Sequence, residues 1–433
     1  MKVGLEIHVS LPTRTKLFCS CKARGDEDGP NSNVCPICMG FPGSKPALNG
    51  KALEYAVMIA AALDCKLSKL TSFVRKVYFY PDLPKSYQIT QLSDAVGKSG
   101  KLELSTGKAI GITRIQLEED PAKIIRGDEY TLLDFNRSGR PLVEIVTDPD
   151  IRSEDELRDF VAELRGILYH IGVDINEELK ADLNVSVDGG ERVEVKNVTG
   201  IKALSDALKY ELGRQNALAG KGQEIKRETR SFDEASMKTI SSREKESDEE
   251  YGYIYETDLT DYDISRLHVP KPVIPGRIAK EYAKRYKASE KAIREQIMLS
   301  REALALMDKA KGRHEMNEII KGIELLKRYG RLQMGYASFE KLLEAVSTGM
   351  LIDEKTIGKI EKGESVGSFK RISDAEIDDS IRKMIMDNEK LLKEYGKNNK
   401  VFNFIVGKIS KEYGVDPRHV SDRLKAVLDE IAK

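Results

Sequence analysis

Gly111-Ile112-Thr113-Arg114-Ile115-Gln116-Leu117-Glu118-Glu119-Asp120 alternates aliphatic with polar residues as far as Glu118, the pattern of a half-buried β-strand. Arg114, Gln116 and Glu118 therefore fall on one face. Three adjacent carboxylates close the strand, and they repel one another unless water or a cation screens them. Taken alone, the triplet reads as a solvated strand end before it reads as a metal site, so the rest of the chain has to decide.

Outward from this stretch, Leu5 to Val9, Phe73 to Tyr80, Pro141 to Val146, Leu183 to Val187 and Arg192 to Lys196 also read as strands. Ala52 to Leu63, Glu154 to Ile171 and Lys202 to Leu218 read as amphipathic helices, the second opened by Ser153 as its N-cap. This mixture predicts an α+β domain rather than βαβα winding. Beyond Pro270, Pro272 and Pro275 the pattern turns almost wholly helical, with helices expected over Arg277 to Lys311, Asn317 to Arg328 and Phe339 to Val346. A further helical unit runs from Ile372 to Lys433. The predicted organisation is an α+β domain over 1–270, a helical domain over 271–370 and a helical tail over 371–433. Ser241 to Glu250, rich in Ser, Glu and Asp, is expected to be a mobile loop.

Parity brings more acids to one side of the sheet. Glu6 and His8 sit two apart on the first strand, as a metal-ligand pair or a simple hydrogen-bonded pair. Glu144 is an isolated acid in an apolar run, where a charge is costly unless paired or metal-bound. Asp182, Asn184 and Ser186 alternate likewise. Acids aimed from several strands at one face suit a Mg2+ and nucleotide bed. No GxxxxGK[ST] and no strand-borne GxGxxG is present, and no GxSxG elbow frames a serine. The segment from Arg75 to Gln88 could hold phosphates with Lys76 and Lys85 while aromatics such as Tyr78 stack on a base. Phe79 is expected to pack beneath its Pro-rich turn.

Cys19-x-Cys21 and Cys35-x-x-Cys38 have the two-plus-two spacing of a four-thiolate zinc knuckle, which would be structural because no coordination position stays open. The fifth, odd cysteine, Cys65, lies on an apolar helix end and reads as core. Net charge is zero across 433 residues, so nucleic-acid contacts would be local patches rather than a polyanion-binding face. Neither a signal peptide nor a long uncharged apolar run is visible, which predicts a soluble cytoplasmic protein without membrane contact.

Gly-Leu-Glu-Ile-His-Val at 4–9, Tyr-Phe-Tyr-Pro-Asp-Leu-Pro-Lys at 78–85, Leu-Glu-Glu-Asp at 117–120 and Asp-Phe-Asn-Arg-Ser-Gly-Arg-Pro-Leu-Val-Glu-Ile-Val at 134–146 carry a resemblance. So do Asp-Leu-Asn-Val-Ser-Val at 182–187, Val-Glu-Val-Lys-Asn at 193–197, Arg-Glu-Thr-Arg-Ser-Phe-Asp-Glu at 227–234 and, in the tail, Phe-Ile-Val-Gly-Lys at 404–408. In these motifs the chain resembles the B subunits of the aspartyl/glutamyl-tRNA amidotransferases, of the archaeal-like, zinc-containing kind. The resemblance implies a catalytic fold similar to glutamine synthetase and the guanidino kinases, a helical domain and a tRNA-touching helical tail. It implies Mg2+ and ATP, phosphorylation of the side-chain carboxylate of a misacylated Asp-tRNA(Asn) or Glu-tRNA(Gln), and ammonia from glutamine hydrolysed on a partner amidase (A) subunit, with a small C subunit bracing the two.

Carried over, the resemblance makes Glu6, His8, Glu118, Glu119 and Glu144 candidates for catalysis, with Glu6, His8, Glu118 and Glu144 on the magnesium. Parity favours Glu118 over Glu119 as the inward acid. Lys76, Tyr78, Lys85, Asn136, Arg137, Asp182, Asn184 and Lys196 are candidates for nucleotide and acyl groups, although Arg137 and Lys196 fit structural ion pairs equally. Gln116 stands where many relatives carry His and is left out of the metal set. Lys180 and Leu183 flank Asp182 atypically, and Tyr251-Gly252-Tyr253-Ile254-Tyr255 departs from the family's Asp-Tyr-Arg-Tyr-Phe pattern. The chain has no room for the inserted domain of the related Glu-tRNA-specific subunit, which favours the heterotrimeric kind. The rival reading is a non-catalytic tRNA-binding scaffold, which would gain nothing from presenting carboxylates to a polyanion.

Overall fold

The computed structural model describes residues 1–24, 29–127, 129–173, 179–187, 190–244, 251–348, 350, 352–364, 373–386, 399–413, 415 and 417–431. The chain divides into two compact units, Met1–Gly276 and Arg277–Lys433. The first is rich in sheet and the second is helical.

In chain order the strands of the first unit are β1 (Lys2–Ser10), β2 (Lys66–Leu67), β3 (Leu70–Thr71), β4 (Val74–Val77), β5 (Tyr87–Thr90), β6 (Gly97–Glu103), β7 (Ala109–Glu119) and β8 (Lys123–Arg126). There follow β9 (Thr131–Asp134), β10 (Pro141–Thr147), β11 (Lys180–Ser186), β12 (Val193–Thr199), β13 (Glu228–Asp233), β14 (Lys238–Glu244), β15 (Gly252–Tyr255) and β16 (Tyr262–Asp263). One large sheet has the order β14-β13-β12-β11-β1-β10-β7-β6-β2, and a smaller one has the order β15-β4-β5. In the large sheet β12 and β13 pair in parallel and the other neighbours run antiparallel. One crossover, through the helix at Ile201–Gly220, joins the parallel pair, and the predominance of antiparallel neighbours in the described sheet fits an α+β domain rather than repeated βαβα winding.

Helices α1 (Gly50–Ala62), α2 (Glu154–Ile171) and α3 (Ile201–Gly220) pack on the apolar face of the large sheet. The Asn49 side chain caps α1 by accepting from Lys51 and Ala52 N–H, and the Ser153 hydroxyl caps α2 by accepting from Glu156 N–H. Both sites satisfy orphan donors of a first turn. Leu5, Ile7, Val143, Ile145, Leu183 and Val195 point to this core and are at most 1% exposed. Every intervening residue of β1, β10, β11 and the first half of β12 therefore faces the other way. In β7, Ile112 and Ile115 are both buried although three apart. A bulge at Thr113 reconciles them, since Arg114 pairs with Val146 and Ile112 with Thr147.

Four sequence expectations change here. The strand expected over Phe73 to Tyr80 covers only Val74–Val77, and Phe79 is 87% exposed rather than packed under the turn. Pro81 and Pro84 lack the N–H that would continue a ladder. Ser241 to Glu244 continue β14 rather than open a loop, and residues 245–250 lie outside the described residues. The long helix expected over Arg277 to Lys311 is three: α4 (Pro275–Tyr286), α5 (Glu290–Ile297) and α6 (Arg301–Ala310). Ser289 and Ser300 cap the second and third, and Lys287 adopts a φ of 51°, which ends the first.

The second unit continues with α7 (Met316–Arg328), α8 (Tyr336–Ser347) and α9 (Glu354–Glu361). Its last helices, α10 (Asp374–Met386), α11 (Asn399–Tyr413) and α12 (Pro417–Ile431), share a core of their own that includes Ile381, Ile409 and Leu424. No helix among the described residues is long and apolar enough to cross a membrane.

Candidate active site

Residues directly opposed in an antiparallel pair share a face. His8 pairs with Glu144 across β1 and β10, and Glu144 pairs with Gln116 across β10 and β7. Glu118 projects from the same face of β7. His8 Nε2 lies 3.4 Å from Glu118 Oε1 and 3.8 Å from Glu144 Oε2, while Arg114 Nη2 reaches Glu144 Oε1 at 3.3 Å. Both carboxylates are buried. Burial, then the Glu144 charge, pushes the Glu118 carboxyl up to about 7, against the pull of His8 and Lys76. Burial opposes a charge on His8, but Glu118, Glu144, Asp182 and Glu6 outweigh it and raise its pKa. Two buried carboxylates so close repel each other, only partly offset by His8 and the partly exposed Arg114, and a divalent cation would relieve that repulsion.

A second cluster adjoins the first. Glu6 pairs with Asp182 across β1 and β11, and Asn184 pairs with Glu194 across β11 and β12. Ligand atoms of Glu6, Asp182 and Glu194 all lie within 4.8 Å of one another, as do those of His8, Glu118 and Glu144. Asn184 Nδ2 donates to Glu6 Oε1 at 3.2 Å, and Lys196 Nζ stands 3.7 Å from Glu194 Oε1. Asn184 Oδ1 is buried with no hydrogen-bond partner among the described residues. A buried, unmatched carbonyl oxygen beside three carboxylates is the donor set of a hard cation such as Mg2+, so the residues fit that ion.

The small sheet adjoins the same face, with Gln116 Nε2 donating to Thr90 Oγ1 of β5 at 3.4 Å. Lys76 of β4 lies 4.5 Å from the Tyr251 ring centroid and 5.7 Å from that of Tyr78, and the two rings meet edge to face. Burial, with Asp82 and Glu118 nearby, holds the Tyr78 phenol protonated well above its usual range. The roof thus offers a cation and aromatic rings to whatever lies over the acids.

Sγ atoms of Cys19, Cys21, Cys35 and Cys38 also lie within 4.8 Å of one another. A hydrogen bond from Cys19, resisted by burial and assisted by the backbone of Cys35 and by Lys16, pulls the Cys38 thiol down to about 5. Four cysteines converging on one point fit a structural Zn2+.

A family model described as the GatB/GatE catalytic domain matches residues 1–269. The B subunit of the aspartyl/glutamyl-tRNA(Asn/Gln) amidotransferase of Sulfurisphaera tokodaii is 37% identical, over 99% of this chain and 99% of that protein. The protein of the same name from Saccharolobus solfataricus is also 37% identical with 99% of both covered, and that of Thermosipho melanesiensis is 35% identical over 100% of this chain and 98% of its own. The chain belongs to this family of amidotransferase B subunits.

In this amidotransferase chain the fold gathers Glu6, His8, Glu118, Glu144, Asp182 and Asn184 on one face, with Lys196 at its edge and Lys76 and Tyr78 above. Four candidates are not brought there. Glu119 points to the opposite side of β7, where Oε1 accepts from Lys85 Nζ at 2.5 Å and from Ile89 N–H at 2.8 Å. Glu119 and Lys85 border a cavity of about 190 Å3 beside Cys19, Cys38 and Arg75. Asn136 is fully buried, its Oδ1 accepting from Asn33 N–H and its Nδ2 donating to the Gly29 carbonyl, both at 2.7 Å. Arg137 donates to the Pro121 and Ala122 carbonyls and faces Asp120 at 3.5 Å. Asn136 and Arg137 are therefore committed to the protein's own backbone. Gln116, left out of the metal set, bonds Arg114 and Thr90. Sequence reasoning missed Glu194, although an acid between Val193 and Val195 carries the same signal that singled out Glu144.

Proposed function

We propose that this chain is the activating subunit of an ATP-dependent transamidation, converting misacylated Asp-tRNA(Asn), Glu-tRNA(Gln) or both to the amides. One observation carries the reading: two adjacent carboxylate clusters share one sheet face beneath Lys76, with no P-loop in the chain. A carboxylate is a poor electrophile and an acyl phosphate a good one. An oxygen of the aminoacyl side chain attacks the γ-phosphorus of ATP and ADP leaves; ammonia then attacks the acyl carbon and phosphate leaves. Mg2+ supplies neutralisation of the charge on the transferring phosphoryl group.

Glu118, Glu144 and His8 would hold one cation, and Glu6, Asp182 and Glu194 a second, with Asn184 Oδ1 turned to it. Lys76, gripped by two tyrosine faces, keeps its N–H donors for phosphate oxygens. Arg114 and Lys196 hold the outer edges of the two clusters by pairing with Glu144 and Glu194. Zinc in the cysteine knuckle would be structural. Ammonia would come from glutamine hydrolysed on the amidase (A) subunit, which a small C subunit would brace, in the cytoplasm. The catalytic part would have a glutamine synthetase-like fold over 1–270, followed by a helical domain over 271–370 and a tail over 371–433 that reads tRNA by shape.

The test is Mg2+-dependent ADP release by the assembled complex. Misacylated tRNA stimulates it under this reading, correctly charged tRNA does not, and a scaffold gives no ADP with either.

A further inference from the structure

Lys16 is completely buried beside the cysteine knuckle. Burial of an ammonium is costly unless each N–H meets an acceptor and some negative charge faces it. Lys16 Nζ meets three acceptors: the Asn33 carbonyl at 2.9 Å, the Phe135 carbonyl at 3.4 Å and Cys38 Sγ at 3.8 Å. Two are neutral dipoles, so among its hydrogen-bond partners in the described residues only the Cys38 sulfur can carry charge; Glu119, which borders the same cavity, is held by Lys85. Four thiolates around a divalent zinc retain about two negative charges, and a buried cation against one of them is matched where a neutral thiol would leave it stranded.

The same side chain bridges two pieces of structure. Asn33 and Cys38 belong to the knuckle, whereas Phe135 opens the loop between β9 and β10. That loop is stitched to the knuckle by Asn136 and to the acidic end of β7 by Gly139 N–H to the Asp120 carbonyl and Asp120 N–H to the Arg140 carbonyl, both at 2.9 Å. Leu17 N–H donates to the Gly139 carbonyl at 2.8 Å. Gly139 has a φ of 86°, a conformation that favours glycine, and a Cβ there would lie in van der Waals reach of the Lys16 stem.

We propose that Lys16 is the outer-sphere cation of the four-cysteine metal site, and that it locks zinc occupancy to the loop at 135–140 and so to the acidic end of β7.

The experiment uses the full chain. Zinc affinity is measured by competition with a chromophoric chelator for wild type and Lys16→Met, and thermal stability for both, for Cys38→Ser and for the double variant. The proposal expects Lys16→Met to weaken zinc roughly 10- to 100-fold, the usual effect of losing an outer-sphere partner. It also expects the double variant to lose less stability than the sum of the singles, because either single change strands a charge. Wild-type zinc affinity in Lys16→Met, or additive losses, would overturn it. Should Lys16→Met alone fail to fold, recovery in the double variant supports the proposal and continued failure contradicts it. Zinc removal from wild type should speed amide exchange at Asp120 and Gly139; unchanged exchange there refutes the coupling to β7.

Discussion

His8 and Glu118 sit on strands that are not neighbours, yet His8 Nε2 lies 3.4 Å from Glu118 Oε1 across the face of β10, where Glu144 completes the triangle. That triangle concentrates negative charge in a buried place, where a metal ion or a proton must balance it.

Glu118→Gln removes a carboxylate charge from the site and, with it, repulsion toward Glu144. ATP turnover stimulated by misacylated tRNA should fall by roughly 100-fold or more, the scale seen when one charge-stabilising group is lost. Melting temperature should hold or rise. Normal turnover in a folded, assembled variant would remove Glu118 from the chemistry.

Without metal, the Glu118 carboxyl is displaced upward from 4.5 to about 7. An acid raised in the folded state loses stability as pH climbs through that interval, because the unfolded chain ionises first. Mg2+ needs the ionised form, so protons compete with it below about pH 7. Stabilisation by Mg2+ in thermal melts should therefore grow between about pH 6 and about pH 8, and Glu118→Gln should flatten that growth.

Glu194→Gln tests the second cluster, which pairs this residue with Glu6 and Asp182. The expected outcome is a higher Mg2+ requirement for ADP release, with tRNA affinity of the assembled complex unchanged in filter binding. An unchanged Mg2+ titration would assign Glu194 to its contacts with Lys196 and Thr229 alone.

Tyr251 grips the Lys76 ammonium from one side. Because a cation–π contact contributes about 0.5 to 2 kcal/mol, Tyr251→Leu should raise the KM for ATP roughly 2- to 30-fold while Tyr251→Phe leaves it near wild type. Equal effects of the two substitutions would show that the hydroxyl, not the ring face, matters.

Much of this site was legible from alternation alone. Glu6, His8, Glu144, Asp182 and Asn184 each stand between buried aliphatics on a strand, and parity sends all of them to one side. Parity also separated Glu118 from Glu119, which turned to Lys85 instead. What alternation could not supply was register: nothing local tells Asn136 that Asn33 and Gly29 will take both ends of its amide. Glu194 was overlooked, though its surroundings match those of Glu144. In the helical unit, apolar periodicity ran unbroken through Ser289 and Ser300, whose capping role depends on backbone geometry rather than on the hydrophobic pattern.

The most direct test of the central claim follows an oxygen atom. Asp-tRNA and Glu-tRNA labelled with oxygen-18 in the side-chain carboxylate are given to the complex with Mg-ATP and glutamine, and the released phosphate is weighed by mass spectrometry. Activation through an acyl phosphate predicts one labelled oxygen in each phosphate released with amide product. Unlabelled phosphate accompanying full amide formation would contradict it.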